Sequence, residues 1–197
     1  TCLMNASILA GATMTMLPRF ETKKAMEIIQ RDKVKLIALV PTMYFFMLNE
    51  AEGADYDLSS ITHAVSGGAA LPEEVHHRFQ EKFGITILEG YGLSETSPIA
   101  TFSREGDDLK VGSIGKPIWG VDLAIKREDG TFADVDEVGE VVIRGHNIMK
   151  GYYNRPEATR EAIINGWFHS GDMGRQDADG FFYIVDRQKD LINSGGM

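Results

Sequence analysis

The sequence predicts an α/β protein in which a parallel sheet with flanking helices is followed by a smaller antiparallel β region. Short apolar runs rich in β-branched residues alternate with helical stretches up to about residue 90, as they do in βαβ units. After about residue 103 the segments become short and alternating, and acidic glycine turns separate them, which is typical of hairpins. The 197 residues, 43% of them hydrophobic, can bury a substantial core.

The first half of the chain carries the βαβ pattern. Apolar runs predict four strands, at residues 12–17, 34–40, 61–65 and 85–90. Apolar residues at helical spacing predict the helices between them, at residues 23–32, 41–52 and 72–83. Pro41 and Pro72 suit first-turn helix positions, where the missing N–H is not needed. Residues 1–12 are apolar, but they lack a basic leader and are shorter than the roughly 20 residues that cross a bilayer, so we expect a core helix there.

The second half carries hairpin signals. Val121, Leu123 and Ile125 alternate with polar residues before one acidic glycine turn, and a second alternating run follows at residues 141–143. A short helix is predicted over residues 156–164, because it has an early acid and apolar residues at helical spacing. A last hairpin is predicted to turn at residues 177–180.

Composition narrows the function classes. Acidic residues number 29 and basic residues 20, which argues against unaided nucleic-acid binding, because phosphate contacts need clustered Lys and Arg. Cys2 is the only cysteine, so neither an internal disulfide nor a cysteine-based metal site can form. This fits a cytoplasmic protein. His63 and His169 have no Ser or Cys partner at motif spacing and are predicted to be structural.

Two glycine-rich loops follow predicted strands, where open parallel sheets bind their ligands. The first covers residues 66–72 and contains two adjacent glycines. The second, residues 89–98, supplies an aromatic ring, two glycines, three hydroxyls and a carboxylate. A base can stack on the ring, hydroxyls can bond phosphate, and a carboxylate can hold Mg²⁺. Alternatively, both loops are ordinary turns, with Tyr91 covering the core and Glu95 capping a helix.

The second loop, EGYGLSETSP, resembles the glycine-tyrosine-glycine, threonine-glutamate signature of the adenylate-forming superfamily. SGGAALP at residues 66–72 is similar to the loop one strand earlier in those enzymes. GEVVIRGHNIMKGYYNRPEAT and GWFHSGDMGRQDADGFFYIVDRQKDLI resemble two later blocks. The four blocks follow the family's order and cover most of the chain, which looks most like a fatty acyl-CoA synthetase and like an internal piece of the large N-terminal domain.

The resemblance implies a reaction and a set of nucleotide-binding residues. Such enzymes join a carboxylic acid to ATP, release pyrophosphate and pass the acyl group to coenzyme A. Tyr91 would stack on adenine, Gly68 and Ala69 would flank its other side, and Asp172 would accept both ribose hydroxyls. The implied ATP- and AMP-binding residues are Gly68, Ala69, Glu89, Gly90, Tyr91, Gly92, Ser94, Asp172 and Arg187.

The resemblance also implies catalytic, metal, hinge and substrate residues. Ser94 would bond the α-phosphate and Glu95 would bind Mg²⁺, so these two are the implied catalytic residues. Lys189 lies at the hinge around which the family's C-terminal domain rotates. The residues implied at the edge of the acyl pocket are Gly90, Pro98, Ile99 and Phe102.

From these roles we expect three regions. Residues 1–103 form a parallel-sheet subdomain with the adenine loops, residues 104–187 form an antiparallel subdomain that ends in the ribose-binding hairpin, and residues 188–197 are a hinge segment. The family's phosphate-binding loop and its lysine-bearing C-terminal domain are not found in the sequence, so the chain alone is expected not to adenylate an acid.

Two alternatives stay open at this level. One is another branch of the superfamily: an aryl-CoA ligase, an acyl-AMP ligase or a peptide-synthetase adenylation domain. The other is a nucleotide-binding or structural module without catalysis. The expected partners are a small carboxylic acid, ATP and coenzyme A, with peripheral membrane contact allowed and no nucleic acid.

Overall fold

The computed structural model describes residues 2–51, 55–104 and 109–187. Five α-helices lie within these ranges: α1 Cys2–Leu9, α2 Thr22–Asp32, α3 Pro41–Glu50, α4 Glu73–Phe83 and α5 Pro156–Ala162. The strands there are β1 Leu36–Leu39, β2 His63–Ser66, β3 Ile87–Tyr91, β4 Thr101–Phe102, β5 Lys116–Pro117, β6 Val121–Lys126, β7 Gly139–Gly145, β8 Ile163–Ile164, β9 Trp167–Gln176 and β10 Phe182–Arg187.

The described residues form two compact units, which divide between Glu89 and Gly90, inside β3. The predicted subdomain boundary at residue 103 falls later, after β4, and that division stays a prediction. The predicted fold class is confirmed, because the mixed α/β architecture matches solved structures of adenylate-forming enzymes.

The first unit is a parallel sheet with helices packed on it. β2 pairs in parallel with β1 and with the first part of β3, and Ser66 is the register partner of Glu89. Helices α2 and α4 end where Lys33 and Gly84 adopt left-handed backbone angles, a common helix stop. The buried core of this unit comprises Met26, Ile29, Ile37, Tyr44, Met47, Leu48, Leu58, Ile61, Ala64, Leu71, Val75, Phe79, Ile85 and Ile87.

Two predictions for the start of the chain are wrong. Residues 12–17 are not a strand, and residues 12–16 are exposed; β-branched residues favour a strand only where a neighbour completes the ladder. Residues 2–9 do form a helix, but none of them is buried in the described structure, so it is not a core helix. Pro41 occupies the first turn of α3 as predicted, whereas Pro72 precedes α4 as its N-cap residue.

The second unit is built from antiparallel strands. The end of β3 pairs with β4, and β4 pairs with β5. A second sheet has the order β10-β9-β7-β6, with β8 paired to β9, so the two predicted hairpins are confirmed. Helix α5 ends at Ala162, two residues earlier than predicted, because Ile163 and Ile164 join β8. The buried core of this unit comprises Ala100, Ile114, Val121, Ile125, Val141, Ile143, Phe168 and Phe182.

Within the described part of the chain, none of the helices combines the length and apolarity that crossing a bilayer requires.

Candidate functional site

The loop after β2, in the first unit, contains two of the predicted nucleotide-binding residues, Gly68 and Ala69. Gly68 has a φ of 84°, a left-handed conformation that glycine adopts without steric cost. Gly68 is exposed, Ala69 is half-buried and Glu89, at the end of the unit, is buried. The main-chain N–H of Leu71 donates to Oε2 of Glu89 at 3.4 Å. Glu89 therefore contacts the far end of the same loop.

The loop after β3, in the second unit, begins with a glycine that no other residue can replace without movement. A Cβ on Gly92 would overlap the carbonyl oxygen of Pro98 and lie 2.8 Å from Cα of Ile99. Contacts with rigid backbone this close force the chain to shift. Gly92 is therefore required by close packing of the loop on itself.

A short 3₁₀ helix, Ser94–Thr96, presents the predicted catalytic pair. The hydroxyl of Thr96 accepts the Leu93 N–H at 2.8 Å and donates to the Leu93 carbonyl at 2.9 Å. Thr96 is fully buried by this arrangement, whereas Ser94 is exposed and Glu95 is half-buried. Thr96 is thus the structural hydroxyl of the motif, and the Ser94 hydroxyl and Glu95 carboxylate face outward enough to meet a ligand.

Tyr91 and Asp172 meet directly, although 81 residues separate them in sequence. The Tyr91 hydroxyl donates to Oδ2 of Asp172 at 2.6 Å, the short distance of a hydrogen bond to a charged acceptor. Asp172 is only 3% exposed, and the Tyr91 ring packs against the core of the second unit. Two residues to which the family resemblance assigns one nucleotide are therefore joined by a hydrogen bond.

Glu140 holds the irregular part of β9 that carries Asp172, and no sequence pattern assigned a role to this glutamate. Its Oε1 accepts the Gly171 N–H at 3.1 Å, and its Oε2 lies 2.6 Å from Nδ1 of His169. The Ser170 hydroxyl accepts the Asp172 N–H at 3.1 Å and donates to a main-chain carbonyl of β7. His169 is a partner of Glu140, and its structural role stays a prediction.

Arg187 is the backbone register partner of Asp172 where β10 pairs with β9, after a register shift between Ile184 and Asp186. Its proposed contact with ribose stays a prediction. Lys189, the predicted hinge residue, lies outside the described residues.

The segment after β7 holds the Ser94–Thr96 turn in place. The Asn147 side chain, 8% exposed, donates through Nδ2 to the carbonyls of Thr96 at 3.0 Å and Ile99 at 2.8 Å. The Met149 N–H donates to the Glu95 carbonyl at 2.8 Å. These bonds join two stretches about 50 residues apart, and no periodic pattern predicts them.

One carboxylate oxygen of Glu95 is also engaged by this segment. The Tyr152 hydroxyl donates to Glu95 Oε1 at 2.8 Å. Burial, and then the hydrogen bond to this carboxylate, raises the pKa of Tyr152. Within the residues that the structure describes, Oε2 of Glu95 accepts no hydrogen bond. The sequence marked residues 151–159 as a family block, but it gave no reason to separate Tyr152 from Tyr153.

The predicted acyl-pocket residues lie close together in the second unit. A Cβ on Gly90 would lie 2.8 Å from Cδ2 of the Phe102 ring, and Gly90 and Phe102 are register partners. Pro98 and Ile99 are half-buried and form the wall against which Gly92 packs. Their contact with an acyl chain stays a prediction.

A metal ion at Glu95 would need ligands from outside the part of the chain that the structure describes. Among the residues described, no group of three or more His, Cys, Asp or Glu side chains could hold a metal. Mg²⁺ commonly binds through one or two carboxylates while keeping waters and substrate phosphates. A half-buried carboxylate with one oxygen fixed and the other uncommitted fits that mode of binding.

Comparison with known proteins gives a consistent result. The sequence model of the family described as "AMP-binding enzyme" matches residues 1–153. The chain is 44% identical over 197 residues to a long-chain-fatty-acid–CoA ligase of Bacillus subtilis (strain 168), covering 100% of this chain and 35% of the relative. It is 37% identical over 191 residues to a feruloyl-CoA synthase of Amycolatopsis sp, covering 96% of this chain and 39% of the relative.

Solved structures agree. The inhibitor-bound N-terminal domain of FACL13 from Mycobacterium tuberculosis has a TM-score of 0.83 and 36% identity, covering 92% of this chain and 45% of that one. ATP-bound MatB from Rhodopseudomonas palustris has a TM-score of 0.89 and 29% identity, covering 99% of this chain and 39% of that one. The chain thus spans less than half the length of the proteins it matches.

Proposed function

Because the chain belongs to the AMP-binding enzyme family, we propose that it is part of an ATP-dependent acyl-CoA ligase and carries much of that enzyme's nucleotide site. In this reaction a carboxylic acid attacks ATP to give acyl-adenylate and pyrophosphate, and the acyl group then passes to the thiol of coenzyme A. The relatives named above are acid–CoA ligases, which supports this reaction class.

The hydrogen bond between Tyr91 and Asp172 is the observation that supports the proposal best. We infer that the Tyr91 ring stacks on adenine while the Asp172 carboxylate accepts the ribose hydroxyls of the same nucleotide. The bond holds an aromatic ring beside a carboxylate, the two groups that we propose contact one nucleoside. The roles of Gly68, Ala69, Glu89 and Arg187 stay predictions.

The Ser94–Thr96 turn would serve the phosphates. We propose that the exposed Ser94 hydroxyl bonds the α-phosphate and that Glu95 holds Mg²⁺ through Oε2. When bound, Mg²⁺ would neutralise charge on the phosphate oxygens as the acid attacks. Without a cation, Glu95 would repel the phosphates, so its place beside Ser94 favours metal binding.

The acid is proposed to be a fatty acid. The relative with 44% identity acts on long-chain fatty acids by its name, and the Gly90, Pro98, Ile99 and Phe102 group offers an apolar wall. A second candidate is an aromatic acid, because a feruloyl-CoA synthase is 37% identical over nearly the whole chain. The cytoplasmic location and the coenzyme A acceptor belong to this proposal as well.

The test of the reaction uses the longer protein that we propose contains this chain. Pyrophosphate release and coenzyme A thioester formation would be measured with fatty acids of different lengths and with ferulate. We expect release that depends on the acid, with the highest kcat/KM for a fatty acid. A preference for ferulate would select the aromatic alternative, and no acid-dependent release would refute the reaction. The 197-residue chain alone is expected to release no pyrophosphate.

The nucleotide role is tested by calorimetric titration with AMP and with its 2′,3′-dideoxy analogue. Asp172→Asn keeps the shape and an acceptor for Tyr91 but removes the charge. We expect AMP to bind at least tenfold more weakly, because hydrogen bonds to a charged acceptor contribute about 1.5 to 3 kcal/mol each. The dideoxy analogue should bind the variant and the wild type equally.

Asp179→Asn is the matched control, because it makes the same substitution in the turn after the same strand, at a side chain that is 70% exposed. It should bind AMP as the wild type does. Equal AMP binding by the wild type and Asp172→Asn, or no binding by either, would favour a structural module without a nucleotide site.

A further inference from the structure

We propose that Tyr152 is a positioning residue for Glu95: its hydroxyl holds one carboxylate oxygen so that the other is presented to the cation bound with ATP. This inference rests on the proposed function, because it assumes that Glu95 is the metal ligand. It gives a role to the GYYNRPEAT block, residues 151–159, which the proposed reaction leaves without one.

Tyr152 contacts the Glu95 carboxylate directly. The Tyr152 hydroxyl donates to Oε1 of Glu95 at 2.8 Å across 57 residues of sequence. A glutamate side chain has three rotatable torsions, and an exposed one samples several rotamers. A single strong hydrogen bond at Oε1 limits these rotamers, and Oε2 then points in a restricted set of directions.

The main chain of Glu95 is held by residues 147–149, which lie just before Tyr152. Met149 N–H donates to the Glu95 carbonyl, and Asn147 Nδ2 donates to the Thr96 carbonyl one residue later. The backbone and the carboxylate of Glu95 are therefore both fixed by residues 147–152. A side chain that positions a metal ion needs a fixed backbone, because one hydrogen bond cannot orient a side chain whose backbone moves.

Tyr152 is itself anchored to helix α5. The Thr159 hydroxyl, in α5, accepts the Tyr152 N–H at 2.9 Å and donates to the Arg155 carbonyl at 2.9 Å. A Cβ on Gly151, where φ is 149°, would lie 2.7 Å from Cγ2 of Thr159. Glycine is thus what lets the turn approach the helix. Thr159 therefore holds Tyr152, and Tyr152 in turn holds Glu95.

The neighbouring tyrosine provides an internal comparison. Tyr153 is 91% exposed, against 37% for Tyr152, and it makes no side-chain hydrogen bond among the residues described. The two adjacent phenols have the same chemistry and differ in whether they reach Glu95. Any effect of removing a surface hydroxyl in general should therefore appear equally at both positions.

The experiment compares Tyr152→Phe, Tyr153→Phe and Glu95→Gln in the longer protein that we propose contains this chain. ATP binding is measured by calorimetry at increasing Mg²⁺ concentration, and Mn²⁺ binding with ATP present is measured by electron paramagnetic resonance. Both readouts are independent of turnover. We expect Tyr152→Phe to weaken the apparent affinity for the cation roughly three- to tenfold, the range that one hydrogen bond spans. Tyr153→Phe should match the wild type.

A conservative pair tests the support from α5. Thr159→Ser keeps the hydroxyl and should bind the cation as the wild type does, whereas Thr159→Val should shift the affinity in the same direction as Tyr152→Phe. ATP binding without Mg²⁺ should be equal in all these variants. Loss of binding with and without the cation in Tyr152→Phe would mean a general structural role and would overturn the inference.

The remaining outcomes separate this inference from the proposed function. If Glu95→Gln weakens cation binding while Tyr152→Phe does not, Glu95 is the ligand and the inference about Tyr152 is wrong. If Glu95→Gln leaves cation binding unchanged, the metal role of Glu95 fails and the inference fails with it.

Discussion

Replacement of Asn147 tests whether a buried amide holds the Ser94–Thr96 turn by donating hydrogen bonds. In the structure its Nδ2 donates to the carbonyls of Thr96 and Ile99, and the side chain is 8% exposed. Asn147→Ala removes both donors. Asn147→Asp keeps the shape, but it turns a carboxylate oxygen toward two carbonyl oxygens.

The magnitude follows from counting these bonds. Two neutral hydrogen bonds contribute about 1 kcal/mol each, so their loss costs about 2 kcal/mol. The Asn147 Oδ1 atom is buried, with no hydrogen-bond partner among the described residues, and its removal returns part of a burial penalty of roughly 1 kcal/mol. We therefore expect Asn147→Ala to lower the free energy of unfolding by about 1 to 2 kcal/mol. Asn147→Asp should lower it further at pH 7.

Urea unfolding followed by tryptophan fluorescence measures the effect, because both tryptophans, Trp119 and Trp167, lie in the same unit as Asn147. With an m-value of about 2 kcal/mol per molar, the midpoint should fall by roughly 0.5 to 1 M for the alanine variant. Lys150→Ala, at an exposed residue of the same segment, should change stability by less than about 0.5 kcal/mol. An aspartate variant as stable as the alanine variant would refute the donor argument.

Two further predictions concern the same unit. Gly92→Ala should lower the free energy of unfolding by about 3 kcal/mol or more in the urea assay, because its Cβ would overlap the rigid Pro98 carbonyl. Gly171→Ala should lower it by about 1 kcal/mol, because an alanine there has free space and is strained only by the positive φ. Equal losses would contradict the packing argument. Burial by itself raises the pKa of the Asp177 carboxyl, but hydrogen bonds from Lys110, a main-chain N–H and a tyrosine hydroxyl together lower it to about 2. The unfolded state, with a pKa of about 3.9, then binds more protons, so wild-type stability should fall as the pH drops from about 4 to about 2. Lys110→Met should lose less stability across that window; parallel pH curves would refute this assignment.

Much of the fold could be predicted because it follows from local periodicity. The alternation at residues 121–125 and the turn at residues 177–180 became hairpins, and residues 72–83 became α4 shortened by one residue. The run at residues 12–17 failed for a physical reason: a β-branched run becomes a strand only if a partner completes its ladder, and that depends on residues distant in sequence.

The candidate site could be predicted as motifs but not as contacts. Tyr91, Glu95 and Asp172 are visible as chemical types in recognisable blocks. Asn147 and Tyr152, which hold the same turn, lie about 50 residues from their partners, and their roles depend on tertiary structure that one sequence does not encode as a pattern. Two adjacent tyrosines are equivalent in sequence, and only the structure distinguishes the one that reaches Glu95.

The contact between Tyr91 and Asp172 can form only late in the synthesis of the chain. Closing a loop of 81 residues costs chain entropy. The contacts of the strands between the two residues offset this cost only after those strands have formed. Under the proposed function, the nucleotide site is therefore still incomplete when only the Tyr91 loop has left the ribosome. ATP would then stabilise the folded chain as a ligand only late in translation, after Asp172 has emerged and β9 has paired with β7.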